Sequence, residues 1–172
     1  LRAAGAAALA LALVLVFVSA AQAALVFKRP DGSVMRFPGA PKVWCGAWSA
    51  DSDRPSIHVQ LLTRRQEWEL SAVQSEVEAG QRIIFPNDFI FSKPYGALLF
   101  AFQRRPVIEA SSAEEEASGS LVFTQASCAI GGTVSFTVHA VLGSELFEGT
   151  KVRVNGTFTG TVGEEPPTHP RI

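Results

Sequence analysis

The chain has 172 residues, 47% of them apolar, with 15 Lys and Arg against 16 Asp and Glu and a formal net charge of -1. That balance gives no basic surface to hold a phosphate backbone through counterion release, so nucleic acid is not an expected partner. An apolar content this high also excludes a disordered chain, and the length suits one domain with its own core.

The hydrophobicity is uneven. Residues 1–23 carry one charge, Arg2, then an unbroken apolar run from Ala6 to Val18 and the small-residue pattern Ala21-Gln22-Ala23. Those are the parts of a secretory signal peptide, with cleavage expected after Ala23 and contact with the membrane only in transit. An uncleaved anchor is the competing reading, but the apolar run is short of the roughly 20 residues that a spanning helix needs. Without residues 1–23 the chain keeps 14 basic and 16 acidic side chains, and its apolar share falls to about 42%. The expected organisation is a signal peptide over 1–23, a single domain over 24–162 and a disordered proline-rich tail over 163–172. The expected location is the bacterial periplasm or the extracellular space.

Export decides how the two cysteines are read. Cys45 and Cys128 are the only pair, and in an oxidising compartment an even pair points to a disulfide rather than to a metal or catalytic site. Closing a loop of that length removes about 4 to 5 kcal/mol of unfolded-chain entropy in the loop-closure treatment.

Along the rest of the chain the periodicity is that of strands. Leu25–Arg29 and Val34–Phe37 flank Pro30-Asp31-Gly32-Ser33, a hairpin signal. Lys42–Trp48 is a short strand, and Ile57, Val59 and Leu61 alternate with His58, Gln60 and Leu62. Trp68, Leu70 and Ala72 alternate with Glu67, Glu69 and Ser71, although Leu70, Val73 and Val77 also fit one short helix closed by Gly80. Arg82–Phe85 reads as a strand, and Ala97–Phe102, apolar at all six positions, as one covered on both faces. Ala110–Ser120, with Glu114, Glu115 and Glu116 in a row, reads as a solvated loop rather than a calcium site. The clearest alternation follows. Val134, Phe136, Val138, Val154 and Phe158 are the expected core, while Arg153, Asn155, Thr157, Thr159 and Thr161 face water. About eight to ten short strands with at most one short helix make an all-β antiparallel sandwich.

Catalytic spacings are missing. His58 and His139 fall in outward strand registers and His169 in the tail, and there is no Gly-x-Ser-x-Gly. A metal shared by His58 and His139 would need neighbouring strands and a third ligand such as Glu145 or Glu148. Glu67 and Glu69 share one strand face about 7 Å apart, with no spacing that identifies glycoside hydrolysis. No catalytic residue, metal or cofactor is expected. Of the aromatics able to stack on a ligand, Trp44 and Trp68 fit the core better, and Trp48 and Tyr95, each bordering a polar turn, are the candidate ligand-binding residues. Asn155-Gly156-Thr157 matches a glycosylation acceptor but is read as strand.

Ser118-Gly119-Ser120-Leu121-Val122-Phe123, Gly132-Thr133-Val134-Ser135-Phe136 and Val154-Asn155-Gly156-Thr157-Phe158 resemble a three-stranded repeat near the C-terminus of secreted bacterial β-sandwich and lipoprotein-type domains of unknown function. The resemblance covers about 45 residues, and the chain departs from the lipoproteins in lacking the cysteine that would be acylated. It implies an envelope or secreted protein and carries over no catalytic residue. The sequence therefore points to a non-enzymatic exported module that binds an envelope protein or a glycan. The alternative is a carbohydrate-binding or glycoside-hydrolase-like module using surface aromatics and carboxylates.

Overall fold

The computed structural model describes residues 22–23, 25–47, 55–73, 77–87, 96–147 and 149–166. Among them are twelve strands and no helix: β1 (Gln22–Ala23), β2 (Val26–Lys28), β3 (Val34–Met35), β4 (Lys42–Ala47), β5 (Pro55–Leu62), β6 (Gln66–Val73), β7 (Arg82–Phe85), β8 (Ala97–Arg104), β9 (Val107–Ser111), β10 (Ser118–Ala126), β11 (Thr133–Leu142) and β12 (Val152–Thr161). They form two antiparallel sheets. The first runs β3-β2-β12-β11-β10-β7, with β1 also paired to β12, and the second runs β4-β5-β6-β8-β9.

The core lies between the sheets and follows the alternation of the sequence. Val134, Phe136 and Val138 of β11 and Val154 and Phe158 of β12 are all fully buried, and the odd-numbered positions of β12 are exposed. Trp68 of the second sheet meets Phe27 and Phe158 of the first, with ring centroids 6.0 Å away in each case. Phe158 also stacks on Phe136 at 5.1 Å. Such aromatic contacts hold two sheets in one packing, because each large ring removed from water contributes roughly 1.5–3 kcal/mol.

A covalent tie joins the layers. Cys45 on β4 is bridged to Cys128, which follows β10, with the Cα atoms 5.6 Å apart and a sequence separation of 83. At the opposite rim Ser111 and Gly143 exchange backbone hydrogen bonds of 2.8 and 3.0 Å, joining the end of β9 to the end of β11.

Three local expectations change. Leu70–Val73 belongs to β6 and pairs with β5 and β8, so ladder bonding takes the residues that a helical spacing also fitted. The stretch read as a solvated loop from Ala110 opens inside β9, and it is anchored. Ala110, Ser112 and Ala117 are buried, and the Ser112 hydroxyl accepts the Leu99 amide at 2.9 Å. Small residues set among the glutamates let the backbone pass close to β8. Finally, β8 is covered unevenly: Ala97, Leu99 and Ala101 are fully buried, whereas Leu98, Phe100 and Phe102 are half-buried on the outer face.

β1 lies at the end of the stretch read as the signal peptide, and it pairs Gln22 with Thr159 and Ala23 with Phe158. Among the described residues no helix is long and apolar enough to cross a membrane.

Candidate functional site

Trp48 and Tyr95, the aromatics expected at a ligand platform, lie outside the described residues, as do Glu148 and His169. Trp68 is core, and Trp44 is half-buried against the imidazole of His58, 5.1 Å between centroids and 14° between planes.

His58 keeps the register expected for the outer face of β5 but is 4% exposed, not open to water. It sits across from Trp44 on β4 and Ser71 on β6. Its Nδ1 is 3.0 Å from the Ser71 hydroxyl, and that hydroxyl donates to Glu69 Oε1 at 2.9 Å. Glu69 Oε1 is itself 3.6 Å from the same Nδ1. Next to them the Gln60 amide donates to Glu67 at 2.8 Å and to Glu69 at 3.3 Å. No carboxylate adjoins His58 in sequence; the Thr63–Arg65 turn folds β6 back onto β5 and delivers Glu69 and Ser71 from eleven and thirteen residues away.

A Ser, a His and a Glu within hydrogen-bond reach invite comparison with a nucleophile and its base. The wiring differs. A general base needs a lone pair aimed at the hydroxyl, with the orienting carboxylate on the opposite ring nitrogen. Here the Ser71 hydroxyl donates to Glu69 Oε1, and hydroxyl and carboxylate both lie on the Nδ1 side of the ring. With Ser71 1% exposed, its hydroxyl bonds within the covered sheet face rather than to water.

His58 and His139 are on different sheets, each in an outward register, and so cannot share a metal ion. Among the described residues no group of three or more His, Cys, Asp or Glu is placed to hold one.

The open polar surface belongs to the first sheet. Lys28 of β2, Arg153 of β12, Val141 of β11 and Ser118 of β10 form one cross-strand row, and Val26, Asn155, His139 and Ser120 form the next. A cavity of about 450 Å³ lies over the first row, where Arg29, Glu116 and Lys151 join Lys28, Ser118 and Arg153. A smaller one of about 200 Å³ shares Ser118, Val141 and Arg153 and runs on to His139 and Asn155, whose Nδ1 and Oδ1 are 3.1 Å apart. Gly119, in the floor of the smaller cavity, has φ of +105°, and a Cβ there would strike the His139 carbonyl. Glycine thus lets β10 close onto β11 beneath the groove.

The cations in this groove have different tasks. Arg29 is a strap: it donates to Ser33 Oγ at 2.8 Å, to the Val34 carbonyl at 3.1 Å and, across to the second sheet, to Gln103 at 2.7 Å. Lys151 is 3.5 Å from Glu116 with both side chains about half exposed. Lys28 and Arg153 have no ion-pair partner among the described residues. The sequence reading missed them as a pair because Lys28 closes the first hairpin strand and Arg153 lies 125 residues later; only the return of β12 to β2 places them together.

No family model, curated protein or solved structure matches the chain.

Proposed function

We propose that this chain is an exported, non-enzymatic β-sandwich of the bacterial envelope or extracellular space that works by binding an envelope component through the outer face of its first sheet. The observation that carries the reading is a contrast between the two outer faces. The Ser71–His58–Glu69 cluster is covered, with its serine hydroxyl donating to the carboxylate, while the groove over Lys28 and Arg153 is open and, among the described residues, no hydrogen bond joins its Ser118 to its His139. Export is supported by the cystine, which persists in oxidising compartments, by the leader-like run from Ala6 to Val18, and by the resemblance of the Ser118–Phe158 strands to envelope sandwiches.

The test is to express the whole chain in a bacterial host, fractionate the cells and titrate thiols on the denatured, unreduced product. Recovery outside the cytoplasm, shortened at the N-terminus and without free thiols, is expected. Full-length protein in the cytoplasm with two reactive thiols refutes the reading.

A further inference from the structure

We infer that the groove over β2, β12, β11 and β10 is a binding site for a saccharide carrying an oxyanion, a phosphate or carboxylate group seated between Lys28 and Arg153. The inference rests on the proposal that the chain acts by binding, and it assigns the ligand's chemistry.

The argument starts from an arrangement that folding alone does not favour. Lys28 and Arg153 are directly opposite on adjacent antiparallel strands, where like charges are destabilising and opposite charges would help. Lys151, on the same side of the chain two positions earlier, and Arg29 bring the cations of the lining to four, against one carboxylate among the described residues, Glu116, which Lys151 already engages at 3.5 Å. The chain as a whole is slightly acidic, so the concentration of positive charge is local. An oxyanion between the two unpaired cations relieves their repulsion and gains charge-assisted hydrogen bonds, bidentate from the Arg153 fork.

The remainder of the lining selects what carries the anion. Beside Arg153 the groove continues past Ser118 to the His139–Asn155 pair, a set of donors and acceptors that suits hydroxyl groups. A volume of about 450 Å³ lies within the usual range for a small-ligand pocket. The positive charge is also concentrated: the row beyond His139 holds Thr157, Thr137 and Val122, with Arg82 at its β7 edge as its one cation. A polyanion tracked along the sheet would meet one isolated cation there instead of a continuous run, which separates this site from a nucleic-acid surface. Ladder hydrogen bonding fixes all four strands, so the site needs little ordering on binding.

Amide chemical shifts of the isotope-labelled, oxidised protein test the assignment, with glucose 6-phosphate, glucuronate, inorganic phosphate and uncharged glucose as probes. Glucose 6-phosphate and glucuronate are expected to move the amides of Lys28, Ser118, Val141 and Arg153, glucose to leave them in place, and inorganic phosphate to act more weakly. Arg153→Gln should weaken glucose 6-phosphate by about tenfold or more, the weight of one charge-assisted hydrogen bond, while raising the unfolding midpoint, because it removes the repulsion across the strands. Lys42→Gln on the second sheet should do neither. No movement at those four amides with either charged sugar, equal movement with glucose, or an affinity unchanged by Arg153→Gln overturns the proposal. Inorganic phosphate binding as tightly as glucose 6-phosphate overturns its saccharide half. A negative titration of protein that is nonetheless exported and oxidised removes this ligand and leaves the export reading standing, whereas cytoplasmic protein with free thiols removes that reading and leaves the titration valid.

Discussion

Replacing both Cys45 and Cys128 by serine should lower stability by an amount set by the loop they close. With a sequence separation of 83, the chain-entropy relation gives about 4.5 kcal/mol at room temperature. Loss of packing adds little, since both cysteines are only partly buried at the margin of the core. A domain of this size is stable by roughly 5–15 kcal/mol in all, so a third or more of its margin depends on one bond. Each kcal/mol moves the midpoint of a domain of this length by about 3 °C, and the double variant should therefore melt some 13 °C lower. The assay is thermal and urea unfolding of oxidised wild type, reduced wild type and the double serine variant. Reduced wild type and the variant should coincide. A shift below about 3 °C would mean that the unfolded chain is already compact enough for the cross-link to remove little freedom, and the entropic account would fail.

Phe158→Ala removes the ring that stacks on Phe136 and meets Trp68 across the sheets; a loss of about 3–5 kcal/mol in urea unfolding is expected, and one below about 1 kcal/mol would show that the sheets close over the gap. Burial, with Glu145, Glu109 and Glu115 adding repulsion, raises the Glu114 carboxyl above its ordinary 4.5. A raised carboxyl favours the fold while protonated and loses that advantage as pH climbs through its folded value, so Glu114→Gln should raise the melting midpoint at pH 7 and give no gain below pH 4.5; an equal gain at both would place the effect in packing. β1 pairs with Phe158 and Thr159 of β12, so protein beginning at Ala24 should exchange amide hydrogens faster at that edge than protein beginning at Gln22, and identical rates would show that β1 adds no protection.

Alternation made the long strands readable from sequence. β11 and β12 place Phe136, Val138, Val154 and Phe158 on a single face with no competing period, and β11 occupies the residues that its pattern predicts. β9 went unread because its five residues lie between a proline turn and an acidic stretch, and composition outweighed Ile108 and Ala110, the two side chains that enter the core. The pair of cations in the groove was illegible for a different reason. Nothing near Lys28 in sequence announces Arg153, because the pairing depends on which strand closes the sheet beside β2. The reverse holds for His58. Its outward register is correct, yet register gives only the side of the sheet, not what covers it, and Trp44, Ser71 and Glu69 reach it through two separate strand pairings.

The cystine also draws a boundary through the molecule. The covalent ring it closes runs from Cys45 to Cys128 and contains β5 to β10 entire, whereas β1, β2, β3, β11 and β12 lie on the two free arms. A protease that cuts once anywhere inside the ring leaves two fragments fastened at the bridge, and the pieces separate on a gel only after reduction. A cut in either arm releases its end at once. Most of the groove-bearing sheet is thus the part of the protein with no covalent insurance against nicking, and β11 and β12 stay in place through their ladders and buried aromatic rings alone.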